Sequence, residues 1–273
     1  MRDSPASDAM PSRADLAALL EWYAECGVDA ALGETPVNRL TAPPPAAPPR
    51  PAPAIVTAAR PPTAVAPTDD TARQARETAR AAQTLDELRS ALEKFEGCNL
   101  RLTASLLVFA DGTPGSRLML VGEAPGREED LQGLPFVGRS GQLLDRMLAA
   151  IGLDRSKVYI ANVVPWRPPG NRTPTPQETA ACRPFLERQI ELSNPDFLVC
   201  LGAAAAKELM ATSEGILKLR GQWRDYHVGA RTIRIMATLH PAYLLRQPLQ
   251  KRLAWRDFLA IRAALDGNSS TRP

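Results

Sequence analysis

The chain is poor in the residues that usually announce a metal centre or a covalent framework. Its 273 residues include only four cysteines and two histidines. Cys26, Cys98, Cys182 and Cys200 lie far apart and include no CxxC pair, which argues against a disulfide scaffold and against a zinc ribbon. Residues 1–10 are polar and lack the apolar stretch of a secretory signal. The cysteines are therefore expected to be free thiols in a reducing cytoplasm. No apolar run reaches membrane-spanning length, so no membrane partner is expected. There is no GxGxxG fingerprint and no Gly-Lys-Ser/Thr P-loop, so a nucleotide-binding protein on a generic α/β scaffold would lack its phosphate cradle. A net charge of +3 demands no polyanionic partner.

Proline, by contrast, is abundant and uneven. Ten of the 26 prolines fall between Pro43 and Pro67, among alanines. Such a stretch buries too little apolar surface to fold and is expected to be a semi-rigid linker. It divides the chain into an N-terminal extension (1–41), a linker (42–82), a folded domain (83–267) and a short tail (268–273). Residues 1–82 carry 8 basic and 10 acidic side chains against 25 and 20 in the remainder, so a mildly basic domain follows a mildly acidic front. In the extension, Ser12 precedes Leu16, Leu19, Leu20 and Tyr23 at helical spacing, and Gly27 ends the pattern. That helix is expected to be a docking element for a protein partner.

From residue 84 onward the pattern becomes regular. Thr84 and Glu87 form a capping box ahead of an apolar stripe at Leu85, Leu88, Leu92 and Phe95. Short apolar runs at 118–121, 158–164, 197–201 and 233–239 predict strands. Helical patterns at 142–151, 176–192, 203–210 and 249–265 alternate with them. Thr175, Pro176 and Glu178 give the 176–192 helix a strong start. Strands alternating with helices predict an α/β fold, with a parallel sheet covered on both faces. Ligands in such sheets sit beyond the carboxyl ends of the strands.

Four segments occupy those positions; one begins at Gly202, and the other three could carry chemistry. The first runs Gly122-Glu123-Ala124-Pro125-Gly126 through Glu129 to Phe136 and Gly138. Its glycines and proline predict a tight turn with exposed amides, and its carboxylates follow a buried strand, where they are costly unless they work or are solvated. The second places Asn162 at a strand end, ahead of the rigid loop 167–172 with its two arginines. An amide both donates and accepts, so it can read a nucleobase edge, and guanidinium groups suit phosphate. The third is His240-Pro241-Ala242-Tyr243-Leu244-Leu245-Arg246, an apolar tip beside basic residues that continue at Lys251, Arg252 and Arg256. That combination suits entry into a base stack. Blander roles fit each segment alone: an acidic surface loop, a turn-forming Asn, solvated arginines, a structural histidine.

Taken together, the strings GEAPGREEDLQGLPFVGRSGQLLDRML, VYIANVVPWRPPGNRTPTP and HPAYLLRQP resemble the uracil-DNA glycosylase superfamily, most closely its family 4, from about residue 88 to 265. The resemblance implies a three-layer α/β/α sandwich with a four-stranded parallel sheet. It implies a base-excision repair enzyme that hydrolyses the N-glycosidic bond of deoxyuridine in DNA, acting as a monomer in the cytoplasm beside the nucleoid. Phe136 would stack on the flipped base. Asn162 would read the uracil edge, and His240 would donate to the uracil O2. Glu123 would be the better-placed catalytic acid, and Glu129 would exclude a thymine methyl. Ala124 lines the uracil site where related families carry an Asp, so mainly electrostatic catalysis is expected. Leu244 would be the wedge that fills the stack, with Arg172 and Arg246 on phosphates. Other deaminated bases, or uracil-DNA binding with weak turnover, are the alternative functions. The loop 247–250 has no histidine, which argues against the branch that cross-links to DNA.

Family 4 also implies a [4Fe–4S] cluster on four cysteines. Only Cys98 and Cys182 stand at those positions, and Phe95 and Trp166 replace the other two. Two thiolates of four are too few. No cofactor is expected, and the alternative is a cluster kept by substitute ligands.

Overall fold

The structure is a computed structural model that describes Leu16 and Ala17, both helical, and residues 69–267. The rest of the expected helix at 12–27, residues 42–68 of the linker and the tail 268–273 lie outside the described residues. The described chain runs α1 (Asp69–Ala81), α2 (Leu85–Lys94), β1 (Asp111–Gly112), β2 (Leu118–Gly122), α3 (Arg127–Gln132), α4 (Arg139–Ala149) and β3 (Val158–Asn162). It continues through α5 (Pro176–Ser193), β4 (Phe197–Leu201), α6 (Ala203–Met210), α7 (Ile216–Leu219), β5 (Arg224–Val228), β6 (Arg231–Thr238), α8 (Pro241–Arg246) and α9 (Lys251–Gly267).

The sheet has six strands in the order β1-β3-β2-β4-β6-β5, not the four expected. Its inner four strands are parallel, and an antiparallel strand closes each edge. The two edge strands had no legible pattern. β1 is two residues long, and β5 is a half-exposed strand joined to β6 by a two-residue Gly229-Ala230 turn with Gly229 at φ 56°.

Every residue of β2, β3 and β4 is buried, which is why they read as continuous apolar runs rather than alternating ones. Successive side chains still point to opposite faces. Met119, Val121, Tyr159, Ala161, Leu198 and Cys200 meet α1, α2, α5 and α6 on one face. Leu118, Leu120, Val158, Ile160, Val199 and Leu201 meet α4 and α9 on the other. The result is the expected α/β/α sandwich.

Helix α1 falls in a segment expected to be linker. It packs on α5 through Ala75 and Ala79, both fully buried. Arg188 pins the residue beyond its end by donating to the Ala82 carbonyl at 2.8 and 2.9 Å. Alanine is the strongest helix former, and a stripe of small residues permits close approach. In a Pro/Ala-rich region that stripe looked like linker composition.

One buried polar network ties the last helix to the sheet. Asp257 accepts from Thr238 Oγ1 at 2.6 Å and from Arg220 Nε at 3.0 Å, and Arg220 Nη2 bonds its other oxygen. Burial raises the Asp257 carboxyl above its usual range even so. Asp257→Ala removes the carboxylate that Arg220 and Thr238 share, leaving Arg220 only the Leu253 carbonyl, and is expected to cost about 3 kcal/mol, read as a lower urea midpoint at unchanged m-value. A midpoint within error of wild type would contradict this role.

Candidate active site

The carboxyl ends of β2, β3, β4 and β6 converge on a cleft of about 790 Å³. Register decides who meets there. Gly122 pairs with Asn162 across β2 and β3, and beyond them Val163 and Val164 donate to the carbonyls of Gly122 and Glu123 at 2.9 and 3.0 Å. On the other side Gly202 donates to Thr238 at 2.9 Å, two residues before His240. Glu123, Ala124, Glu129, Phe136, Asn162 and His240 therefore all line one cleft, as do Arg172 and Arg246.

Gly122 is required by close approach. A Cβ there would lie 2.5 Å from Asn162 Oδ1 and 2.7 Å from Phe136 Cζ. The missing side chain lets the ring and the amide sit side by side over the strand end.

Phe136 takes φ 55°, which L-residues seldom adopt and which costs about 1–3 kcal/mol. Two charged groups hold it. Glu129 accepts from the amides of Gly126, Val137 and Gly138 at 3.0–3.1 Å, closing the loop on one side. On the other, Arg155 donates to the carbonyls of Pro135 and Phe136 while paired with Asp111 and Asp145. Charge-assisted bonds of this kind are about twice as strong as neutral ones, enough to offset the strain. Gly141 completes the fit, since a Cβ there would lie 1.6 Å from the Phe136 carbonyl oxygen. Glu129, expected to exclude a thymine methyl, lines the cleft, and both its oxygens are engaged by backbone amides. Arg155 was not singled out from sequence, because it lies outside the three motifs and resembles any loop arginine.

His240 caps α8, and its Nδ1 accepts from the Ala242 amide at 3.1 Å. An accepting Nδ1 puts the proton of the neutral ring on Nε2. Burial, and then the Arg246 charge, push the imidazole down to about 4. The ring is therefore a neutral donor at physiological pH. It stands 5.6 Å from the Phe136 ring, centre to centre.

Glu123 is the contrasting acid. Burial dominates and raises its pKa, while the neighbouring Thr173 side chain pulls the other way. Its Oε1 is buried with no hydrogen-bond partner among the described residues. Thr173 was not anticipated either, since nothing local in the sequence marks one threonine in a loop that also contains Thr175.

Arg172 donates to both carboxylate oxygens of Glu178 at 2.8 and 2.6 Å, so its charge is already balanced. Glu178 is also the capping-box residue of α5. Leu244, the expected wedge, is 1% exposed. It packs with Leu143, Leu239 and Ala254 in a small core beneath α8. In the helix that His240 starts, the residue four positions on points inward.

Comparison with known proteins gives a consistent result. The model of the uracil DNA glycosylase superfamily matches residues 109–259. A type-4 uracil-DNA glycosylase from Thermotoga maritima is 47% identical over 156 residues, 57% of this chain and 80% of that protein. One from Archaeoglobus fulgidus is 38% identical over 183 residues, 66% of this chain and 92% of its own length. Another from Saccharolobus solfataricus is 35% identical over 192 residues, covering 68% and 89% respectively.

An NMR titration of the two histidines tests the geometry without any substrate. His240 is expected to stay neutral down to pH about 4, with its proton on Nε2. A midpoint at or above 6.5, the ordinary value, would contradict the desolvated neutral ring.

Proposed function

The chain belongs to the uracil DNA glycosylase superfamily, and on that premise we propose how its cleft hydrolyses the N-glycosidic bond of deoxyuridine in DNA, releasing uracil and leaving an abasic site. The enzyme acts in base-excision repair, and its substrate is uracil-containing DNA. One observation carries the reading of the cleft. A neutral histidine with a fixed Nε2 donor, an amide, a strained aromatic ring and a desolvated carboxylate share one pocket at the strand ends.

The nucleotide must leave the stack, at a cost of a few kcal/mol. Phe136 stacks on the extruded base, and Asn162 pairs with its edge. Cytosine presents the opposite donor and acceptor pattern, so its polar groups would be left unpaired in a buried site, and that is expensive. The C1′–N1 bond then breaks with its electron pair going to the base, so negative charge gathers on uracil and positive charge on the sugar. His240 Nε2–H donates to the uracil O2 as that charge develops. Because the ring is already neutral and oriented, the donor needs no reorganisation, the condition under which such stabilisation is largest. Glu123, ionised, steadies the sugar cation and orients the water that adds to C1′, and the proton this water loses ends on the departing uracil anion. Ala124 offers no base beside it. Glu129 and Arg155 act one step removed, by holding Phe136. Arg246 reaches phosphate, and Arg172 braces the loop that carries Thr173.

A monomer is proposed as the working unit. Among the described residues no helix is long and apolar enough to cross a membrane. We place the enzyme in the cytoplasm, beside the nucleoid.

The residues present do not fit a four-thiolate cluster. Phe95 and Trp166 are 4% and 2% exposed and share one apolar cluster with Cys98 and Cys182. Phe95 packs on Phe185 with ring centroids 4.9 Å apart. The neighbouring Cys98 thiol, together with burial, pushes the Cys182 thiol well up and keeps it protonated. Among the described residues no group of three or more His, Cys, Asp or Glu converges to hold a metal ion. An apolar core is proposed to replace the cluster. Purified protein is expected to contain no stoichiometric iron or sulfide and to keep its Tm in excess chelator; one cluster per chain by iron and sulfide assay would refute this.

The function is tested with uracil-containing oligonucleotides, scoring alkali-labile abasic sites against thymine and hypoxanthine controls. Asn162→Ala is expected to lower kcat/KM by about 100-fold or more. The acid limb of the pH profile identifies Glu123. Its raised pKa means that activity falls as pH drops through a midpoint above the ordinary glutamate value, while His240 remains neutral to about 4. Glu123→Gln is expected to lower the rate and remove that limb. A limb that persists in Glu123→Gln assigns the titration elsewhere.

A further inference from the structure

Leu244 is held in the core beneath α8 and presents no side chain to a base stack. One residue beyond α8, the short turn Pro248–Gln250 carries Leu249, which at 86% is the most exposed large apolar side chain among the described residues. Single exposed leucines are common and mean little by themselves. Four further observations set this one apart.

The turn is rigid. Pro248 opens it, Gln247 donates to the Tyr243 carbonyl at 2.8 Å, and Gln250 donates to the Gln247 carbonyl at 3.0 Å. It is braced from both sides by α8 and α9. It sits beside the cleft, because Ala242, Tyr243 and Arg246 of α8 line the cleft wall. Its surroundings are positive. Arg246, Lys251, Arg252 and Arg256 are all exposed, and none forms an ion pair among the described residues, unlike Arg172 with its Glu178 partner. Residues 241–256 contain no Asp or Glu at all.

We infer that this edge is a duplex-docking surface on which Leu249 enters the base stack, while Arg246, Lys251, Arg252 and Arg256 hold the phosphates beside it. The inference rests on the proposed glycosylase reading and assigns to Leu249 a step that reading leaves without a residue. An apolar tip on a rigid turn, flanked by unpaired cations, combines the two contacts that let a protein unstack a duplex and keep it bent. A protein partner fits less well, because a surface with this much unbalanced positive charge beside an anion-processing cleft matches a phosphate backbone. Only stacked DNA needs a wedge. A single strand presents its bases already free, so Leu249 should matter mainly for duplex.

The test compares Leu249→Ala with wild type on the same uracil in duplex and single-stranded oligonucleotides. The variant is expected to lose about tenfold more kcat/KM on duplex than on the single strand. Leu249→Phe, which keeps an apolar tip, is expected to recover most of the difference. Equal losses on both substrates, or none, would overturn the inference. Leu244→Ala serves as the comparison: it is expected to lower Tm and to affect both substrates alike, as a core residue would. A second readout needs no turnover. 2-Aminopurine placed beside the uracil brightens when the stack opens, and that rise is expected to shrink with Leu249→Ala; an unchanged rise would count against Leu249. If wild type released no uracil from either substrate, the functional reading would fall, while the fluorescence comparison would still decide whether Leu249 unstacks DNA. Arg252→Gln with Arg256→Gln is expected to flatten the salt dependence of duplex binding, and an unchanged slope would remove these two from the phosphate contacts.

Discussion

The cleft depends on holding one backbone conformation that phenylalanine does not favour. Phe136 lies at positive φ, and it stays there because a carboxylate closes the loop after it and a guanidinium holds the carbonyls before it. Neither Glu129 nor Arg155 needs to touch a ligand to matter. Arg155 also reaches Asp111 on the edge strand β1 and Asp145 on α4, so the position of one aromatic ring is tied to the edge of the sheet and to the helix layer beneath it. The three glycines at 122, 141 and 202 belong to the same constraint. At each, an added Cβ would meet Phe136, Asn162 or His240 at 2.9 Å or less. The pocket is built by removing side chains from the scaffold as much as by supplying them.

The same tight packing sets the electrostatics. Burial acts on His240 and Glu123 in opposite directions, lowering the base and raising the acid, and so favours the neutral form of each. A neutral histidine is the more useful donor where a negative charge is about to appear, because it can be buried without a counter-ion. Glu123 shows the other side of that economy: a carboxylate oxygen left without a partner in a buried site gives the apo cleft a stake in meeting a polar or cationic group. Opposed burial effects on an acid and a base in one cleft are a common mark of a catalytic site.

Much of this was legible in the chain. The four inner strands, the capped helices at Thr84 and Thr175 and the convergence of Glu123, Asn162 and His240 all follow from apolar runs, capping boxes and the rule that ligands sit at strand ends. What escaped had weak local signals. Helix α1 hid in alanine-rich composition, and β1 and β5 were too short or too exposed to show a period. Arg155 escaped because its partners at 111, 135, 136 and 145 are distant in sequence or carry no motif. Leu244 and Leu245 are adjacent leucines in one string, and a string does not say which of them faces inward. The six-residue helix that His240 caps decides it, burying Leu244 at 1% and leaving Leu245 at 38% exposed.

By itself, then, the sequence determined the layered α/β class, the superfamily, and which side chains meet at the strand ends, because strand periodicity and motif order depend on neighbours along the chain. The tertiary structure alone decided what each of those side chains is free to do. It committed Glu129 to three backbone amides and Arg172 to a carboxylate, closed Leu244 into a core, and set the protonation of His240 and Glu123. Hydrogen-bond satisfaction, burial and helix phase are properties of three-dimensional surroundings, and those surroundings are supplied by residues that no local string contains.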